Sequence, residues 1–491
     1  MTIPKTTNMK KSLLLVILFA GLSFLSPVLA QDISFQEAKK FAGDFTEVRT
    51  KSKFKAGKST VIADSSMTLG WLFELEPRGF VIISAYRSLP SVYAYSEESD
   101  FDPGDRYGKA LLQLLISDMR LRLHAWERVD DYEKARVGST WLAYGKSWGR
   151  RQKFQQWPPA GTTSTGGWLE TNWTQMSPYN TDCPMDLNAG NRSVAGCPAV
   201  AMAQVLHYLR LTNDTRFDSL DDYFHSYGAG NQYWIDDDST ARDFPGFHTL
   251  NRKLDSLDLF FGSKAELTNS LKAALVFACG TACRQVYTAS GSGTFGINQA
   301  ADAYQRFGFT DSRLVFDTDT NLNADLAENI KAGLCAHLGL VDSAITVGHN
   351  VVVDGYNTDG FYHFNFGWGG SYNGWYTMPP TTMPYSLTVI EGVVMDIRAD
   401  SSTAGVGDTP PVLLYRYYPN PVSGIVKIDL DKIYDSVDLC VFNSVGHNVF
   451  CSTFSNTDQI KINMEGWGVG VYIFTMRTLS DRKVSFKVIR Q

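Results

Sequence analysis

The chain has 491 residues, 44% of them hydrophobic and 20% charged, and a formal net charge of −6 at pH 7. That length leaves room for about three globular domains, and the acidic balance argues against nucleic acid or anionic membrane as partner. Seven cysteines (183, 197, 279, 283, 335, 440 and 451) form no metal-ligand spacing. Cys279-x-x-x-Cys283 lacks a second pair or a nearby histidine, so neither a metal site nor a cofactor is expected. Their odd number leaves at least one thiol unpaired.

Residues 1–30 read as a signal peptide. Lys5, Lys10 and Lys11 precede an apolar run from Leu13 to Leu25, and Pro27-Val28-Leu29-Ala30 offers a small-residue cleavage site. Residues 31–150 read as a small α+β domain with a short helix over 35–41. Strands are expected at 71–75 and 79–84. A longer helix, 109–126, places Leu112, Leu115, Ile116, Met119, Leu123 and Trp126 on one side. Residues 151–167, with Pro158, Pro159 and the small-residue run Gly161 to Gly167, form a linker of the kind proteases reach.

The largest domain is expected over 168–398, and its key stretch runs from Ala195 to Tyr208. Met202, Val205, Leu206 and Leu209 recur at helical spacing, and Pro198 suits a first helical position. Cys197 then falls at the N-cap, where unpaired amides and the positive helix end favour a thiolate. Further helices are expected near 265–277 and 296–307. Between them lies Ser290-Gly291-Ser292-Gly293, a loop small enough to admit a substrate backbone.

Gly348-His349-Asn350-Val351-Val352-Val353-Asp354 reads as a buried strand opening on a histidine, and Phe361 to Asn365 as its hairpin partner. A tight turn at Asp359-Gly360 would set Asn365 opposite Asp354. A longer loop centred near Asn357 sets it opposite His349, and this register is the one expected. Residues 399–414 form a second linker. Residues 415–491 alternate in short strands (425–430, 437–442, 460–463 and 471–475), which suggests a small β-sandwich.

With these motifs in place, the middle domain resembles the streptopain-type, papain-like cysteine peptidases. The resemblance rests on Ala195-Gly196-Cys197, on Gly348-His349 followed by Val351-Val352-Val353-Asp354-Gly355, and on Asn365-x-Gly367-Trp368-Gly369-Gly370. Residues 31–150 resemble the family's inhibitory pro-domain through Gly79 to Ala85 and Leu89-Pro90-Ser91-Val92. The tail resembles the type IX secretion sorting domain through Tyr418-Pro419-Asn420-Pro421-Val422 and Gly468-Val469-Gly470-Val471-Tyr472.

The resemblance implies Cys197 as nucleophile, His349 as general base and acid, and Asn365 as the group orienting the imidazole. It further implies Ser292 and Gly348 as substrate-contacting positions and Asn191 as an oxyanion donor where the family has glutamine. Phe366 stands where the family tends to have tryptophan, and with Trp368 it would shield the His–Asn pair. The expected protein is a secreted or surface-attached endopeptidase made as a zymogen and processed between about Lys146 and Gly167. Its partners would be protein or peptide substrates, its own pro-domain and the secretion machinery. Two other readings of the same residues stay open: transglutaminase-like acyl transfer, and an inactive secreted adhesin.

Overall fold

The computed structural model describes residues 32–49, 53–65, 67–143, 154–227, 231–317, 319–342, 348–379, 389–399, 415–419, 422–443, 448–478 and 483–491. The expected signal peptide and the Lys146–Lys153 part of the processing stretch lie outside the described residues. The chain divides into two units, 1–403 and 404–491.

The first unit opens with α1 (Phe35–Arg49), longer than the short helix expected. Its start is a capping box: Ser34 N and Oγ donate to Glu37 Oε2, and Glu37 N donates back to Ser34 Oγ. Ala38, Ala42 and Phe45 form the buried stripe. Four strands follow: β1 (Lys55–Asp64), β2 (Met67–Glu76), β3 (Phe80–Ser84) and β4 (Val92–Ser96). Next come α2 (Arg106–Ala125) and α3 (Asp131–Ala143). Asp105 caps α2 by accepting from Gly108 N at 2.6 Å. The buried stripe of α2 is Leu111, Leu114, Leu115, Met119 and Leu123. Leu112 and Ile116, expected on that side, are half-buried.

After the short strands β5 (Gln156–Trp157), β6 (Met185–Asp186) and β7 (Asn191–Arg192) the chain enters α4 (Cys197–Leu209). This helix is not amphipathic as expected. Every residue from Pro198 to Leu206 is buried, the mark of a helix enclosed on all sides. Then follow β8 (Phe224–Ser226), β9 (Gln232–Trp234), α5 (Phe247–Gly262), α6 (Asn269–Ala282), α7 (Ile297–Arg306), β10 (Arg313–Phe316), α8 (Leu322–Lys331) and β11 (Ala336–Val341). The unit closes with β12 (Gly348–Asn357), β13 (Phe361–Asn365), β14 (Gly374–Thr377) and β15 (Ile390–Met395).

Instead of standing apart, the strands of residues 31–150 continue the sheet of the larger domain. The described order is β1-β2-β3-β4-β14-β13-β12-β11-β15-β10, with β5 added on β12. The seam is β4 against β14, where Tyr95 opposes Trp375 and Ala94 opposes Tyr376. Two cores line this unit. One carries the N-terminal strands with Val351, Val353, Phe366 and Trp368. The other gathers α4, α5, α6 and α7 around Val352.

The second unit comprises β16 (Tyr415–Tyr418), β17 (Ile425–Asn443), β18 (Asn448–Asn463), β19 (Gly470–Thr478) and β20 (Lys483–Arg490). All belong to one hydrogen-bonded sheet. Two of the expected strands, 425–430 and 437–442, are halves of β17, which has an irregularity between Asp429 and Tyr434. That irregularity switches the buried parity from Val426, Ile428 and Leu430 to Val437, Leu439 and Val441, so both halves serve one core. Cys440 and Cys451 oppose each other across β17 and β18 and form a disulfide. The thiols of Cys183, Cys197, Cys279, Cys283 and Cys335 are unpaired.

Candidate active site

Gly196 begins the site. It holds φ +86°, a backbone region open to glycine, and a Cβ there would lie 2.6 Å from Gln285 Oε1. Gly196 is the N-cap of α4, so Cys197 is the first helical residue and Pro198 the second. This is one position from the expected N-cap, and the sulfur remains at the positive helix end. Cys197 is half-buried, whereas the other four unpaired thiols are buried. Burial pushes its pKa up, and backbone and side-chain amides of Asn350 pull it partly back.

His349 is the second residue of β12. Its Nε2–H donates to the Phe366 carbonyl at 2.8 Å, because a carbonyl oxygen only accepts. The indole of Trp368 stacks on the imidazole at 4.4 Å between centroids, with Phe366 parallel at 6.1 Å. Burial drives the His349 pKa down to about 4. Burial thus disfavours the charged form of both groups, and among the described residues no hydrogen bond joins them.

Asn365 does not orient this ring. Its cross-strand partner is Val352, reached through an irregularity between Val353 and Gly355. Neither turn considered from the sequence gives that register. Directly paired residues share a sheet face and neighbours alternate. Asn365 and Val352 accordingly face α4, and His349 shares the other face with Val351 and Val353. Asn365 Oδ1 accepts from Gln204 Nε2 at 3.2 Å and Gly367 N at 3.1 Å, and Nδ2 donates to the Thr171 carbonyl at 2.8 Å. It braces the loop whose next carbonyl, that of Phe366, holds the histidine.

Gln204 escaped the sequence reading. It is fully buried on α4, and its Oε1 also accepts from Thr171 Oγ1 and Trp173 N. One signal was present: an amide amid Ala199 to Leu206 must find partners or cost stability.

Asn191 is exposed and its Nδ2 donates one hydrogen to the Ala189 carbonyl at 3.0 Å. Ser292 folds into its own loop, its Oγ accepting from Thr288 N at 3.0 Å. Gly348 is exposed at the start of β12, opposite Val341.

Residues 31–150 reach this site through the first turn of α2. Arg106 Nη2 donates to the Ser290 carbonyl at 2.6 Å. Tyr107 stacks on Trp368 at 4.8 Å, so ring lies on ring from the pro-segment to His349. Asp105 Oδ2 accepts from the Tyr372 hydroxyl at 2.6 Å. The N-terminal segment thus holds one carbonyl of the loop expected to receive substrate.

A half-buried thiol at a helix start, a buried imidazole and an N-terminal segment stacked on the indole that covers that imidazole define a cysteine peptidase in its pro-form. Residues 173–376 match the Peptidase C10 family, residues 30–120 the Spi protease inhibitor, and residues 416–491 the secretion system C-terminal sorting domain. The chain thus carries a peptidase C10 domain of the streptopain family, with an inhibitory pro-domain and a type IX sorting tail that directs it to secretion or the cell surface. It is 22% identical over 400 residues to streptopain of Streptococcus pyogenes, covering 74% of this chain and 90% of that one. It is 25% identical over 262 residues to the thiol protease/hemagglutinin PrtT of Porphyromonas gingivalis, covering 50% of this chain and 28% of that one. A solved fragment of prointerpain A from Prevotella intermedia superposes with a TM-score of 0.48 and 20% identity, over 70% of this chain and 100% of the fragment.

Proposed function

We propose that Cys197 and His349 are the catalytic pair of an endopeptidase held latent by residues 31–150. The observation that carries this is the stack Tyr107–Trp368–His349, which places the pro-segment over the imidazole. While it stands, burial disfavours the charged form of both the thiol and the imidazole. Once residues 31–150 leave, water reaches His349 and its basicity rises. The Nε2–H bond to the Phe366 carbonyl leaves Nδ1 as the basic nitrogen.

Nδ1 then takes the Cys197 proton, and the thiolate adds to a peptide carbonyl. The amide N–H at the Cys197 helix start receives the oxyanion, and the imidazolium protonates the departing amine. Water, deprotonated by the same ring, releases the acyl group. Asn365 supports the loop at Phe366 and does not touch the ring. Ser292 and Gly348 are assigned to the substrate main chain, with streptopain-like selectivity.

We assign the domains as 31–150, 168–398 and 415–491, with processing in the linker 151–167 or just before it. Gln156 and Trp157 pair with β12, and Gly167 packs against the Asp354 carboxylate. These attachments favour a cut on the N-terminal side of Gln155. The test is full-length Cys197→Ala beside the parent, followed for loss of the pro-segment and for casein cleavage. The parent processes and cleaves, and the variant does neither. Equal cleavage by the variant would end this assignment. Peptide cross-linking without cleavage by the parent would favour acyl transfer.

A further inference from the structure

Behind the sulfur lies a second histidine. Asn350 follows His349 on β12, on the opposite face, and donates Nδ2–H to Cys197 Sγ at 4.0 Å. Its Oδ1 meets His337 Nε2 at 2.9 Å, and His337 Nδ1 meets the Tyr304 hydroxyl at 3.3 Å. His337 comes from β11 and Tyr304 from α7, and both are fully buried.

The direction of this chain is fixed by valence. An amide oxygen only accepts, so His337 carries its proton on Nε2. A neutral imidazole then accepts at Nδ1, and Tyr304 donates. Burial holds His337 neutral, with a pKa near 4, and pushes the Tyr304 pKa far up. The titratable groups that face this chain are His349 on β12, Cys279 on α6, Cys283 just past α6, and Cys335 just before β11; Cys283 also faces Cys197.

We infer that Asn350, oriented by His337 and Tyr304, is a positioning residue that fixes the Cys197 sulfur and favours its thiolate. The inference rests on Cys197 being the nucleophile. With Oδ1 already bound, the amide presents N–H to the sulfur in every state, and that bond strengthens when the sulfur becomes charged. The proton leaving Cys197 still goes to His349, and no atom of the Asn350 chain changes protonation. Nothing in the sequence alone joins His337 and Tyr304 to Cys197, since β11, β12, α4 and α7 meet only in the fold.

The test uses processed protein from the full chain as parent, Asn350→Ala, His337→Leu and His337→Gln. Alkylation of Cys197 by iodoacetamide is followed against pH, with the labelled peptide mapped, beside kcat and KM on a peptide substrate. Asn350→Ala is expected to raise the alkylation midpoint by about one pH unit, so labelling below the parent midpoint slows about tenfold. kcat falls while KM holds. His337→Leu shifts the midpoint the same way, and His337→Gln, which keeps a donor for Oδ1, stays nearer the parent.

Should Asn350→Ala not fold, the two His337 variants decide the matter. Superimposable profiles, or a midpoint that falls, overturn the positioning role in a parent that alkylation inactivates. A parent that still cleaves after complete alkylation of Cys197 overturns the nucleophile assignment itself.

Discussion

His349 is tied by a backbone carbonyl, and this separates the duties of its aromatic neighbours. Phe366 contributes its carbonyl, which side-chain substitution leaves in place, whereas Trp368 contributes the ring lying 4.4 Å away. Trp368→Leu is therefore expected to lower kcat/KM of the processed enzyme about tenfold, and Phe366→Leu about threefold or less. The reverse order would show that the Phe366 ring, not its carbonyl, holds the histidine. Gln204 poses a stability question. Its amide satisfies Asn365, Thr171 and Trp173 at once inside a buried helix. Gln204→Leu strands those partners and is expected to cost about 2–3 kcal/mol. Urea unfolding followed by tryptophan fluorescence measures it, and an unchanged midpoint would contradict the assignment.

Among the elements, α2 couples inhibition to the catalytic loop. Its first turn supplies Arg106 to the Ser290 carbonyl and Tyr107 to Trp368. The seam β4–β14 joins the sheets beside it. Arginine and tyrosine anchors of this sort often dominate an interface. The double variant Arg106→Ala/Tyr107→Ala, made in the full chain, is expected to lose its pro-segment about tenfold faster. A gel time course reads this, and parent-like processing would show that the seam alone confers latency.

For the whole molecule, acidity is the natural solvent to latency. His207, His337 and His349 are each depressed by burial to about 4 from an ordinary value of 6.5. A histidine whose folded pKa lies below its unfolded one binds fewer protons when folded, so stability is complete above pH 6.5 and falls as pH drops toward 4. The full chain is expected to melt at progressively lower temperature across that window and to process faster at pH 5 than at pH 7. Flat melting temperatures from pH 7 to 4 would mean these rings are not neutral and buried as described.

The order of Cys197, His349 and Asn365, the pro-segment before them and the sorting tail after them were all written in the sequence. Local chemistry marks such features: a cysteine and a proline at a helix start, a glycine–histidine strand opening, short alternating strands. The expected partner of His349 was not legible. One irregularity between Val353 and Gly355 moves Asn365 to the α4 face, and periodicity cannot show a single extra residue in a strand. The joined sheet, the Phe366 carbonyl, the grip of Tyr107 and the Asn350–His337–Tyr304 chain depend on residues far apart along the backbone. Only tertiary packing brings them within bonding distance, and only burial there sets which protons they hold.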